Sequence, residues 1–199
     1  MGLPGRPLNR PSRRELLGGS AAVLLEAFTS PARAHNDAGV VDPPQPVPAT
    51  ALTLHDGSTA SSRALLRGKL TAMQLMFTSC RASCPIQGAL FAKAAKALGD
   101  TLKDAQWLSL SIDPARDDPV SLRRWLERFG PHPRWRAARP EPKQLAALVR
   151  FLKSERPGPD PHTAQVYFVG RTGDLVMRSV DFPAVPELLR VMKSLNARA

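Results

Sequence analysis

The 199-residue chain holds only two cysteines, Cys80 and Cys84. So few exclude a disulfide-stapled scaffold, a four-cysteine zinc ribbon and a cysteine-bound iron–sulfur cluster. A long hydrophobic run near the N-terminus is also missing. The apolar stretch at residues 18–28 is interrupted by Glu26 and is well short of the roughly 20 residues needed to span a bilayer. Acid is scarce: 17 Asp and Glu face 28 Lys and Arg, for a formal net charge of +11. That excess raises nucleic acid as a partner, but no nucleic-acid motif and no internal repeat is present. The rest has globular composition, with 43% hydrophobic residues. The 20 Pro, roughly twice the usual share, favour loops and linkers over long helices.

Residues 1–34 read as an export leader. Ser12-Arg13-Arg14-Glu15-Leu16-Leu17 resembles a bacterial twin-arginine signal, the apolar stretch follows, and Ala32-Arg33-Ala34 has the small-x-small form of a cleavage site. The leader has no Cys, so no lipid attachment is expected. Cleavage after Ala34 would leave 23 Lys and Arg against 15 Asp and Glu, a net +8. The protein is expected in the periplasm, where a disulfide can persist. Residues 35–51, with Pro43-Pro44-Gln45-Pro46-Val47-Pro48, read as an extended proline-rich linker to one domain at 52–199.

Within that domain the periodicity alternates. Residues 52–57, 70–77, 106–112, 165–169 and 175–180 read as strands. Residues 85–102, 119–129, 143–153 and 185–196 read as helices. In 106–112, Leu108, Leu110 and Ile112 face one way and Trp107, Ser109 and Ser111 the other. In 85–102, Ile86, Leu90, Ala94, Leu98 and Leu102 recur every four residues and are expected to face the core. Early alternation followed by a hairpin at Arg171-Thr172-Gly173-Asp174 predicts an α/β chain with a thioredoxin-like fold, a central mixed β-sheet flanked by helices.

Cys80-Arg81-Ala82-Ser83-Cys84-Pro85 falls where a strand hands over to a helix. Four residues apart in a helical turn, the two side chains lie about 5–6 Å apart at Cβ. Thiols that close can bind one soft metal, exchange with a disulfide, or form an inert staple. A helix N-terminus favours the thiolate, which suits the first two uses. The short loop gives a staple little to stabilise.

Four segments together resemble the Sco/SenC family of copper chaperones for cytochrome c oxidase. They are Phe77-Thr78-Ser79-Cys80-Arg81-Ala82-Ser83-Cys84-Pro85, then Ser109-Leu110-Ser111-Ile112-Asp113-Pro114-Ala115-Arg116-Asp117-Asp118-Pro119, then His162-Thr163-Ala164-Gln165-Val166-Tyr167-Phe168-Val169 with Gly173 after it, and, less distinctively, Leu54-His55-Asp56-Gly57 with Arg67-Gly68-Lys69. The resemblance implies that Cys80, Cys84 and His162 hold copper, as Cu(I) or Cu(II). The copper would go to the binuclear site of a respiratory oxidase subunit, or the dithiol would prepare that site's cysteines. The alternative is a thiol–disulfide oxidoreductase in which Cys80 attacks and Cys84 resolves. Asp160 is a candidate acceptor for the His162 imidazole, and Asp113 and Asp117 are candidates to shape a loop near the site. His35, His55 and His132 are weaker ligand candidates.

Arg123, Arg124, Arg128, Arg134, Arg136 and Arg139 crowd together, with Trp125 and Trp135 among them. Interleaved arginine and aromatic residues can bind nucleic acid, but an exported protein rarely meets it. Docking of a monomer onto an acidic protein or an anionic membrane surface is expected instead.

Overall fold

In a computed structural model of the chain, which describes residues 37–155 and 162–198 together with Gly2, eight strands pair into one mixed sheet. Along the chain the elements are β1 (Gly39–Pro46), β2 (Ala51–Leu54), β3 (Thr59–Ser61), α1 (Ser62–Leu66), β4 (Leu70–Met76), α2 (Ser83–Leu98) and β5 (Ala105–Ser111). They continue with α3 (Pro119–Phe129), β6 (Trp135–Pro140), α4 (Pro142–Leu152), β7 (Val166–Val169), β8 (Asp174–Arg178) and α5 (Val185–Ala197). The sheet order is β1-β8-β7-β4-β5-β6-β2-β3. β4, β5 and β6 are parallel, while β7 joins β4 antiparallel and turns back into β8. Gly173, at φ 90, makes that turn, a left-handed conformation that glycine takes without a Cβ penalty.

Strand periodicity builds two cores, one on each face of the sheet. Ala72 and Met76 of β4, Trp107 of β5 and Phe168 of β7 meet Phe91, Leu122, Trp125 and Leu188 from α2, α3 and α5. Met73 and Leu75, Leu108 and Leu110, and Tyr167 and Val169 from the same strands meet Leu65, Leu66, Leu148 and Leu152 from α1 and α4. The alternation expected for residues 106–112 therefore holds, with Trp107 and Leu108 in opposite cores.

Three expectations change. Residues 39–46, expected as linker, form β1 on the sheet edge, with Gly39 opposite Arg178 and Pro46 opposite Asp174. Proline is tolerated there because an edge strand leaves one row of N–H groups without a ladder partner. Residues 135–140 form β6, with Trp135 beside Trp107; the pairing with β5 outweighs the low strand propensity of its two Ala and two Arg. In α2, Ile86 is 59% exposed. The inward face is instead Cys84, Gln87, Gly88, Phe91, Ala94, Ala95 and Leu98, a stripe repeating every three to four residues.

Apart from Gly2, the leader at residues 1–34 lies outside the described residues, as do His35, Asp160 and Pro161. Among the described residues no helix is long and apolar enough to cross a membrane.

Candidate metal and thiol site

β4 ends at Met76 and α2 begins at Ser83, and the connection carries Cys80. A turn closed by the Cys80 N–H donating to the Phe77 carbonyl at 3.1 Å sets up this loop. No side chain caps α2, whose N-cap is Ala82, so the amides of its first turn are free to serve the cysteine. The backbone N–H groups of Ala82 and Cys84 both act on the Cys80 thiol. The Cys80 sulfur also lies 3.9 Å from the Ser83 hydroxyl.

Both cysteines are reduced and buried, Cys80 at 6% and Cys84 at 0% exposure. Their ionisation is nevertheless split. Burial pushes the Cys80 thiol up, but hydrogen bonds from the Cys84 side chain, the Cys84 and Ala82 amides and Ser83 outweigh it and bring the thiol below its ordinary value. Burial pushes the Cys84 thiol strongly up, and its hydrogen bond to Cys80 pushes the same way. Cys80 therefore ionises more readily than an ordinary thiol and Cys84 much less readily.

His162 comes to this pair from just before β7, which the sheet sets beside β4. Its Nε2 lies 3.7 Å from the Cys84 sulfur. Its Nδ1 is 2.8 Å from the Thr163 carbonyl. A carbonyl only accepts, so Nδ1 carries the proton and Nε2 presents a lone pair toward Cys84. Phe77 meets the imidazole edge-on, with centroids 6.0 Å apart and an interplanar angle of 85°. A backbone carbonyl thus accepts from His162; Asp160, expected as an acceptor for the imidazole, lies outside the described residues.

The aspartate-rich loop also meets the site, by an indirect route. Asp117 is fully buried. Its carboxylate accepts the Thr78 N–H at 3.1 Å, the Thr78 hydroxyl at 2.5 Å and the Ser111 hydroxyl at 2.6 Å. Asp113 instead pairs at 3.5 Å with Arg116, and its N–H donates to Ser111 at 3.0 Å. Sequence reasoning missed Thr78, Ser83 and Thr163. Only Ser83 had a visible signal, as a hydroxyl between the two cysteines.

Two soft sulfurs and an imidazole suit a soft metal, Cu(I) above all, and the nitrogen extends the set to Cu(II). Among the described residues no three His, Cys, Asp or Glu side chains are already gathered tightly enough to hold an ion. Cys84 faces His162 on one side, and Cys80 lies against both Cys84 and Ser83. Of the weaker candidates, His55 and His132 lie elsewhere, on a separate cleft. The Nδ1 of His55 receives the Ala137 N–H at 3.5 Å, and the Nδ1 of His132 receives the Arg134 N–H at 3.3 Å.

The sequence profile of the SCO1/SenC family matches residues 46–195. A search of the curated proteins finds no match. Among solved structures, a SCO1/SenC family lipoprotein from Bacillus anthracis str. Ames is similar with a TM-score of 0.67 and 23% identity, over 78% of this chain and 99% of that one. Bradyrhizobium japonicum ScoI with copper bound is similar at TM-score 0.63 and 22% identity, over 75% and 99%. BsSco, a member of the Sco family of cytochrome c oxidase assembly proteins, is similar at 0.67 and 20%, over 78% and 95%. The fold is the thioredoxin-like fold of the Sco proteins. With 150 consecutive residues matching one profile, and a strand–helix junction that presents two cysteines to a histidine, this chain belongs to the SCO1/SenC family.

Proposed function

We propose that this protein carries copper in the periplasm on Cys80, Cys84 and His162. It hands the copper to the binuclear copper site of a respiratory cytochrome c oxidase, or prepares that site's cysteines. Copper is the cargo. The observation that carries the reading is the 3.7 Å approach of His162 Nε2 to the Cys84 sulfur, next to a second thiol that ionises more readily than an ordinary one. The copper bound in the Bradyrhizobium relative and the oxidase-assembly role given for BsSco support the same reading. The Thr163 carbonyl holds the imidazole in the tautomer that offers Nε2. Copper capture requires Cys80, Cys84 and His162 to close further on one ion, and requires Cys84 to lose its proton. Release to the oxidase proceeds by ligand exchange, with acceptor thiolates replacing Cys80 and Cys84. The twin-arginine-type leader supports export in the folded state.

Titrating the reduced protein with Cu(I) and Cu(II), alongside His162→Ala, tests the three-ligand reading. The variant is expected to bind Cu(II) much more weakly and to lose the wild-type Cu(II) spectrum. Unchanged affinities and spectra for both oxidation states would sink it. Cell fractionation with Arg13→Lys and Arg14→Lys tests the export route; a periplasmic protein is expected to be lost from the periplasm.

The split between the two thiols favours a second activity at the same centre, disulfide reduction. The Cys80 thiolate attacks a target disulfide and expels one target thiolate. Cys84 gives up its proton and attacks the Cys80 sulfur. The second target thiolate leaves and a Cys80–Cys84 disulfide remains, so two electrons pass to the target. Cys80→Ser is expected to abolish reduction. Cys84→Ser is expected to trap the mixed disulfide.

A further inference from the structure

The arginines of residues 123–139 look alike in the sequence, but the structure separates them. Arg134 is committed to the fold. It donates to the carbonyls of Gly99 and Leu102 beyond the end of α2 and pairs with Asp100 at 3.2 Å. Arg139 donates to the Pro114 carbonyl at 2.6 Å, and Arg123 reaches the His55 carbonyl at 3.4 Å. Arg136 borders a different cleft, beside His55 and His132. Trp125 and Trp135 are buried at 3% and 2% exposure, and both indole N–H groups donate to Ser109. No aromatic of this cluster is therefore free to stack on a base.

Arg124 and Arg128 remain. They stand one turn apart on α3, exposed, with no ion pair among the described residues. Asp118 feels the charge of Arg124, but its carboxylate is already taken by the N–H and hydroxyl of Ser121, at 2.7 and 2.6 Å. The Arg128 guanidinium lies 5.7 Å from the Phe129 ring centroid. With Thr78, Ser121 and Trp125 the two arginines line a cleft of about 310 Å3. Thr78 is the residue Asp117 anchors, two positions before Cys80. Two unneutralised guanidiniums thus stand beside the loop that carries Cys80.

We propose that this cleft receives carboxylate side chains of the protein to which the site delivers copper or electrons, holding that partner's cysteines over Cys80. The proposal deepens the copper and dithiol reading and rests on it. Guanidinium groups recognise carboxylates through paired, directional hydrogen bonds. Rim charges of this kind mainly raise the rate and set the orientation of encounter. Two guanidiniums side by side suit one or two carboxylates, and the place of the cleft beside the Cys80 loop suits a partner that must exchange ligands there.

The test is stopped-flow association of the full chain with the soluble copper-site domain of the oxidase from the same organism. Wild type is compared with Arg124→Glu/Arg128→Glu and with the charge-matched control Arg63→Glu/Arg150→Glu, whose residues do not line the cleft. At low salt the cleft variant is expected to associate about tenfold more slowly and to lose most of its salt dependence, with the control near wild type. Copper titration of the cleft variant is expected to match wild type. Equal slowing in both double variants would assign the effect to net charge and overturn the proposal. So would no slowing in either. So would a cleft variant that associates normally with the domain but no longer floats with phosphatidylglycerol vesicles, the outcome for a membrane site. A wild type that binds no copper would defeat the copper reading alone, because association of the reduced, copper-free chain with the oxidised domain still reports on docking.

Discussion

The Asp117 carboxylate and the Thr78 backbone lie 3.1 Å apart, so the loop after β5 holds the loop that delivers Cys80. The same carboxylate takes the Thr78 and Ser111 hydroxyls. A fully buried acceptor with three donors is costly to remove, because every donor is stranded away from water. Asp117→Ala is expected to lower stability by about 2–4 kcal/mol, read from urea unfolding. Thr78→Val removes one hydroxyl and keeps the N–H contact, so about 1–2 kcal/mol is expected. Equal losses in the two variants would show that the N–H contact contributes nothing.

The two thiols should react differently. Cys80 is held below its ordinary value, mainly because hydrogen bonds from Cys84 and from the α2 amides overcome its burial. Cys84 is held far above its own by burial. Alkylation of the reduced protein by iodoacetamide, followed by mass spectrometry against pH, is therefore expected to label Cys80 first. The Cys80 midpoint should lie below that of an ordinary thiol, and Cys84 should be labelled only at clearly higher pH. Ser83→Ala removes one contact that favours the thiolate and should move the Cys80 midpoint upward. First labelling at Cys84 would contradict the split.

Alkaline stability should report Tyr167. Burial pushes its phenol up to about 12, although the Thr163 hydroxyl at 2.7 Å pulls the other way. The unfolded chain ionises Tyr near pH 10 while the folded chain holds the proton longer. The contribution is therefore complete below pH 10 and is lost as pH rises toward 12. Urea unfolding at pH 9 and pH 11 should show a fall in stability on the order of 1 kcal/mol from this group. Tyr167→Phe should be less stable at pH 9 and should lose less on going to pH 11. A Phe variant with the same alkaline slope as wild type would remove Tyr167 as a cause.

α2 and α3 meet at a glycine. A Cβ placed on Gly88 would lie 2.5 Å from the Phe129 ring carbons. Gly88→Ala must displace either the ring or the helix, and overpacking of this kind costs about 1–3 kcal/mol. Adding Phe129→Leu removes the ring and should recover part of that loss in thermal unfolding. A fully stable Gly88→Ala single variant would show that the ring yields freely.

Much of the fold can be read along the chain because its strongest signals are local. Residues 119–129 form α3 as expected, with Asp118 capping the first turn and Pro119 starting it. The alternation of Trp107 and Leu108 shows directly in the two cores. β1 and β6 were not legible, because prolines at the edge and Ala-Arg pairs beside β5 carry no strand periodicity; their partners make them strands. Ile86 misled because a strict four-residue repeat drifts around a helix that turns every 3.6 residues.

The sequence by itself determined that two cysteines share a strand–helix junction, that a histidine comes shortly before a late strand, and that the chain resembles one family. Those features depend on spacing and residue type within short segments. Only the tertiary structure decided which arginines are free, that Asp117 rather than Asp113 anchors the cysteine loop, and that Thr163 orients His162. It also decided which thiol favours the anion, because burial and hydrogen bonds in the folded protein act on Cys80 and Cys84 in opposite net directions. Each of these depends on distances between groups far apart in the chain or on removal from water, and neither exists until the sheet has closed.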